Sequence, residues 1–422
     1  MTVSAEKSEI PLLEDYIRLN KINLSILGLW PLPDGAPKWR QALQFFQNIV
    51  VFILFSMLYF PAIVDLYMYK GDIQMNADNL CTTMTMCAVI TYIPYFALRR
   101  KTLKVILRAM ESNWNRSMDL TAPKIHRDIL LRAVKFSKTF TRWYSFTIYV
   151  TCSLYMFSPL VIPAVSQTET VRRQPLRAWY PINQTSEVIY TVIYVSQVVG
   201  GAISSIGSVS VDGLFLVMMR LFCAQLRIFQ YELTTLGTST TNCKSNSSTT
   251  HLRMNTTTSD VELLQRMKNI IEDHQSHIQN ADNIRSLYNV VCLVQLVVSN
   301  VVICVIGFQL IFYLDSRGLD LVKYVMYIQA VLLQIYIYCS LGDDLMTEST
   351  RVGQAAYDCP WTNYPASVKG CLLVMTMRSQ QPLLITAGNL YIMSMENFAA
   401  ILKTSLSYLS VLRAMCDDGL SD

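Results

Sequence analysis

The residues with most capacity for metal or nucleophilic chemistry in this 422-residue chain are four histidines and eleven cysteines. His274 and His277 follow Glu272 and Asp273, and on a helix this group could in principle hold a divalent metal. The polar sequence around them fits a solvated helix face better, and that is the expectation. No two cysteines form a CxxC pair, and none is spaced from a histidine as in a zinc site. They are expected to act as small buried apolar residues. The chain carries no Ser/His/Asp set, no phosphate loop and no carboxylate pair in a catalytic setting. The expectation is therefore no enzyme, no cofactor and no metal.

The elements that would have to position any site are apolar. Hydrophobic residues make up 52% of the chain and charged residues 15%, with a mean hydropathy of +0.30. A soluble domain usually carries about 25% charged residues. The net charge of +5 is modest, and no nucleic-acid partner is expected. Residues 1–40 show no secretory signal, so the first apolar stretch is expected to direct insertion.

Crossing a bilayer takes about 20 apolar residues in a helix. Seven stretches qualify: Phe45–Val64, Asn79–Leu98, Trp143–Val165, Val188–Met219, Leu287–Leu314, Leu319–Leu341 and a last one interrupted by Arg378-Ser-Gln-Gln-Pro382. The second is less apolar, with Thr82, Thr83, Thr85 and Thr91. Short cytoplasmic loops retain Lys and Arg. Of the 35 basic residues, 27 fall on the side of the N-terminus and 8 on the other, which predicts a cytoplasmic N-terminus and an external C-terminus. Arg99, Arg100, Lys101 and Lys104, directly after the second span, are expected to lie against anionic membrane lipid. Asn183 begins a sequon in an external loop.

The fold expected is all-α and polytopic, with seven transmembrane helices and a split seventh helix. Residues 1–42 form a cytoplasmic segment. Residues 43–341 hold helices one to six with cytoplasmic extensions, and 342–422 hold an anchor helix and helix seven. Residues 234–260 are almost wholly small and polar and are expected to be disordered. After them, apolar residues recur every three or four positions from Val261 to Leu287, so helix five is expected to begin well inside the cytoplasm. In the last segment Pro382 lacks an amide donor and disfavours helix at Gln381. Lys369–Met377 would then join a cytoplasmic bundle, and Leu383–Leu412 would span alone.

Two stretches carry a family resemblance. Gln174-Pro175-Leu176-Arg177-Ala178-Trp179-Tyr180-Pro181 resembles the loop segment of insect odorant receptors that ends in Ala-Trp-Tyr-Pro. Ser379-Gln-Gln-Pro-Leu383, Thr386-Ala-Gly388, Ser394-Met-Glu-Asn-Phe398 and Lys403-Thr-Ser405 are similar to the same family's final helix. The resemblance implies a subunit of an odorant-gated, non-selective cation channel in the plasma membrane of olfactory sensory neurons. It would form a heterotetramer with the shared odorant receptor co-receptor and bind a small volatile odorant.

Site residues follow from the resemblance alone. It places the pore and its apolar gate along Ser407, Val411 and Met415. The co-receptor has a Gln near this ring, where Ala414 stands here. The ligand pocket would lie among Tyr92, Tyr149, Ser153, Phe157, Tyr194, Gln197, Gly201, Asn300, Cys304 and Tyr327. Helix packing is the competing reading at each of these positions. A gustatory-type receptor of the same fold lacks support, because Ser407–Ala414 does not match that group's terminal Thr-Tyr-(five apolar)-Gln-Phe motif. A transporter would be expected to show internal repeats and charged midplane residues, and here intramembrane charge is nearly confined to Asp212 and Glu396. A G-protein-coupled receptor would have the reverse orientation and its own motifs, which are missing.

Overall fold

The computed structural model describes residues 12–69, 73–166, 174–181, 186–236, 254–313 and 319–419. Among them are ten α-helices: α1 (Leu13–Ile26), α2 (Lys38–Met68), α3 (Ile73–Leu98), α4 (Arg100–Met118), α5 (Lys124–Ser166), α6 (Glu187–Thr234), α7 (Met254–Tyr313), α8 (Leu319–Asp358), α9 (Ala366–Ser379) and α10 (Met395–Gly419). Between α9 and α10, β1 (Thr386–Ala387) and β2 (Tyr391–Ile392) form an antiparallel hairpin.

The seven long helices α2, α3, α5, α6, α7, α8 and α10 correspond to the seven apolar segments. Five of them, α2, α3, α6, α7 and α8, are long and apolar enough among the described residues to cross a membrane. Helix α2 shows why hydrocarbon is its solvent. Phe45, Phe46, Met57, Phe60 and Tyr67 all point away from the protein, a contiguous apolar surface that a water-soluble monomer rarely exposes. Helix α6 is the opposite case. From Ser205 to Leu233 it is buried on nearly every side by α5, α8, α1, α2 and α3, as expected for a helix that is apolar all round.

The 60 residues of α7 span about 90 Å, three times the thickness of a hydrocarbon core. Together with α4, α9 and the ends of α5, α6 and α8, it builds a helical bundle past the apolar stretches. Helix α7 begins at Met254, inside the stretch expected to be disordered. Adding turns to an existing helix needs no new nucleation. Residues 237–253, which hold most of that stretch, lie outside the described residues, as does Asn183.

Two further expectations are corrected. Arg100 and Lys104 turn inward instead of resting on lipid. Arg100 donates to the Gly28 carbonyl at 2.9 Å and to the Asn48 amide oxygen, and Lys104 and Arg108 both pair with Asp34. These bonds fasten the connection between α1 and α2 to α4. Ahead of α2, Leu13, Ile17 and Leu24 of α1 are buried against α5 and α6. Lastly, no helix starts at Leu383. Gly388 (φ 62°) and Asn389 (φ 59°) take left-handed conformations that close the β1–β2 hairpin, and α10 starts at Met395. The Ser394 hydroxyl accepts from the Asn397 N–H at 3.3 Å, as an N-cap does. The hairpin reaches close to α8 because residue 342 is glycine: a Cβ there would lie 2.2 Å from the Met393 carbonyl oxygen.

Candidate ligand cavity

Helices α3, α5, α6 and α8 line a partly open cavity of about 110 Å³. That is on the order of the roughly 150 Å³ apolar cavity that holds benzene. Met86, Ile148, Met156, Ala330 and Val331 supply apolar wall, and the polar lining includes Thr85, Ser204, Ser208, Tyr327 and Gln334.

The roof is Leu176, from the loop after α5. Its N–H donates to Gln197 Oε1 at 3.0 Å and its carbonyl accepts from Gln197 Nε2 at 2.9 Å. The next residue, Arg177, pairs with buried Asp65 of α2 at 3.0 Å and lies over the Tyr69 ring at 4.6 Å. Asn79 of α3 donates to the same carboxylate at 2.8 Å, and the Trp179 N–H donates to the Pro61 carbonyl at 3.0 Å. In this way the Leu-Arg-Ala-Trp segment is strapped across the ends of α2 and α3.

Behind the wall residue Gln334 lies a buried carboxylate. Asp212 of α6 is fully buried and accepts from Tyr144 Oη (2.5 Å), Tyr338 Oη (2.6 Å) and Gln334 Nε2 (2.7 Å). Three donors from α5 and α8 replace the water that a carboxylate otherwise needs. Below it, Phe215 packs between Tyr338 and Tyr288, each with its ring centroid 4.7 Å away. Tyr288 donates to the Val211 carbonyl at 3.1 Å. The next residue, Asn289, holds the hairpin: its Oδ1 accepts from Asn389 N–H (2.9 Å) and the Thr386 hydroxyl (3.0 Å).

Of the ten residues expected at a pocket, the cavity brings together Gly201 and Tyr327. Tyr327 donates to the Cys81 carbonyl at 3.0 Å and shares a 2.5 Å hydrogen bond with Thr85. Gln197 holds the roof without lining the space. Tyr92 is buried elsewhere, donating to Gln295 at 3.0 Å. Tyr149, Ser153 and Phe157 line a separate groove on the outside of α5, beside Val322 and Lys323. Tyr194 donates to the Met156 carbonyl at 2.6 Å. Asn300 bonds back to Leu296, and Cys304 faces the Ser405 carbonyl at the α7–α10 contact. Sequence reasoning missed Ser204, Ser208 and Gln334. Its nearest signal was the serine and glycine content of α6, which reads equally as helix packing.

On α10, Ile401 and Ser405 are buried, whereas Ser407 and Val411 are exposed. Met415 lies on the same helix, four positions on, where side chains are outside those described.

In the helical bundle past the apolar stretches the histidines are not on a solvated face. His277 packs its ring against Phe222 and Phe229, at 6.1 and 5.3 Å, and His274 stacks on Phe229 at 5.6 Å. Burial pulls the His277 pKa down to about 4, and burial also lowers those of His274 and His126. Among the described residues no group of three His, Cys, Asp or Glu is placed to hold a metal.

Comparison with known proteins agrees over nearly the whole chain. Odorant receptor 13a of Drosophila melanogaster is 25% identical, with 94% of each chain covered. Odorant receptor 10 of Aedes albopictus is 32% identical over 144 residues, covering 34% of this chain and 38% of its own. The solved olfactory receptor OR5 of Machilis hrabei in complex with eugenol has the same fold, with a TM-score of 0.75 at 18% identity over 96% of this chain and 98% of its own. The sequence model of the 7tm Odorant receptor family matches residues 72–406. The chain belongs to the odorant receptor family of insects.

Proposed function

We propose that the chain is the ligand-tuning subunit of an odorant-gated, non-selective cation channel. It binds a small volatile in the cavity between α3, α5, α6 and α8 and opens a pore in complex with the odorant receptor co-receptor. The observation that carries this reading is the cavity itself: mostly apolar, sized for a compact molecule, roofed by one loop and with a few polar groups in its wall. The family is one of receptors rather than enzymes. Gly201 and Tyr327 act in the cavity and Gln197 acts on its roof. Ser407, Val411 and Met415 face the pore when several copies of α10 surround one axis. The protein sits in the plasma membrane of olfactory neurons with its N-terminus in the cytoplasm, as the basic residues indicate.

The test is to co-express the chain with the co-receptor, apply a panel of volatiles and record current. A Gly201→Leu variant should abolish the odorant response, because a Cβ at 201 already lies 2.8 Å from Met156 Cε and the added side chain fills the space. Responses to an agonist of the co-receptor should persist. An intact odorant response in that variant rejects this cavity as the ligand site.

A further inference from the structure

The polar groups that line the cavity differ in whether they are already used. Thr82 donates to the Asn79 carbonyl at 3.0 Å, Thr151 to Thr147 at 2.9 Å and Ser205 to Gly201 at 2.7 Å. Each of these hydroxyls bonds back along its own helix. Thr85 and Tyr327 satisfy each other and the Cys81 carbonyl. Tyr155 points to the Asp78 carboxylate at 3.4 Å, and the Gln334 amide donates to Asp212. Ser204 and Ser208 are different. Both line the cavity, and among the described residues neither hydroxyl has a hydrogen-bond partner.

They stand four residues apart on α6, which puts them on one face with about 5–6 Å between their Cβ atoms. Asp212 is the next residue in that row, and Gln334 joins it to the cavity wall. The cavity thus offers two uncommitted O–H donors on adjacent turns, inside an otherwise apolar or already satisfied surface. A carbonyl oxygen has two lone pairs and brings no donor of its own that would need a partner. A hydrocarbon would leave both hydroxyls dry and unpaired, at a cost comparable to a lost hydrogen bond for each.

We infer that Ser204 and Ser208 are the specificity-determining polar contacts of the cavity, and that the ligand is a compact volatile whose carbonyl oxygen accepts from one or both hydroxyls. This rests on the cavity being the odorant site.

The experiment compares ketones with analogues in which the carbonyl oxygen is replaced by a methylene group of nearly the same shape. Cyclohexanone is paired with methylenecyclohexane, and 2-heptanone with 2-methyl-1-heptene. Dose–response currents are recorded from the chain co-expressed with the co-receptor. In the wild type at least one ketone should be about tenfold or more as potent as its methylene partner. The double variant Ser204→Ala/Ser208→Ala should reduce that ratio to near one by weakening the ketone. A co-receptor agonist should act equally on both proteins, and Ser204→Thr/Ser208→Thr should restore part of the preference if the double alanine variant assembles poorly. Equal potency of ketone and hydrocarbon in the wild type, silence toward both ketones, or a ratio unchanged in the double variant overturns the assignment. The Gly201→Leu variant separates the two readings. If it abolishes the responses while the serine variants change nothing, the cavity stands and the serines fall. If it leaves them intact, the cavity reading itself fails.

Discussion

Gln197 holds both backbone groups of Leu176, taking its N–H at 3.0 Å and giving to its carbonyl at 2.9 Å. One side-chain amide thereby fixes the position of the cavity roof. Gln197→Ala leaves a buried N–H and a buried carbonyl without partners, each costing about 1–3 kcal/mol. The expected outcome is a loss of odorant potency of about tenfold or more, with the co-receptor agonist response unchanged. Unaltered potency would mean that the Arg177–Asp65 pair and the Trp179–Pro61 hydrogen bond hold the roof without it.

Asp212 is the acceptor on which Tyr144, Tyr338 and Gln334 converge. Asp212→Ala leaves three buried donors unpaired and should destabilise the bundle by more than about 3 kcal/mol. Asp212→Asn keeps the volume and one acceptor oxygen and should be milder. Melting of the detergent-purified protein and the fraction reaching the cell surface would measure this order. An alanine variant that melts with the wild type would show that the three donors find other partners.

The His277 pKa of about 4 sets a pH dependence. In the unfolded chain the imidazole takes up a proton near pH 6.5, whereas in the fold burial keeps it neutral to about pH 4. Between these values the unfolded state binds more protons, so stability falls as pH falls. The contribution of His277 is complete above pH 6.5, shrinks from there to about 4 and is level below. Glu232, whose pKa is raised by burial, acts in the opposite sense. Wild type should therefore be compared with His277→Gln, which retains Glu232. The melting temperature should drop more steeply between pH 7 and 5 in the wild type. Parallel curves would place the titration elsewhere.

The seven apolar segments were legible because a bilayer sets a minimum length that few other structures require. The break at Pro382 was legible for a local reason, the missing amide. The hairpin after it was not, because its left-handed turn at Gly388 and Asn389 is held by Asn289, a hundred residues away. The cavity was half hidden for a geometric reason. Tyr149, Ser153 and Phe157 lie at the right depth on α5, but Thr151, Cys152 and Tyr155 are the residues rotated toward the cavity. Spacing along one helix says which residues share a face, not which face meets the neighbours. Ser204 and Ser208 became candidates only when the other hydroxyls were seen to be occupied.

Membrane orientation rests on 27 basic residues on one side against 8 on the other. Epitope tags at each terminus, stained with and without permeabilisation, should show the C-terminal tag on intact cells and the N-terminal tag only after permeabilisation. The reverse pattern would reject the orientation.

Val411 tests the pore. Helix α10 packs against α7 and α8, with Ile401 and Ser405 buried and Leu409 seated near Gly307. Ser407 and Val411, four residues apart, remain exposed on the single chain, Val411 at 56%. Such a face turns either to lipid or to an axis shared with other subunits. The two cases respond differently to polarity. A ring of apolar side chains around a narrow axis keeps water out, and the closed state depends on that dryness. Val411→Ser would hydrate the ring and should raise current severalfold in the absence of odorant, with Met415→Ser acting in the same direction one turn further on. At a lipid-facing position the same change costs little and leaves the closed pore dry. Basal current, normalised to surface expression in cells that also express the co-receptor, discriminates the two. Wild-type basal current in both variants would put this face of α10 against lipid and the gate in other residues.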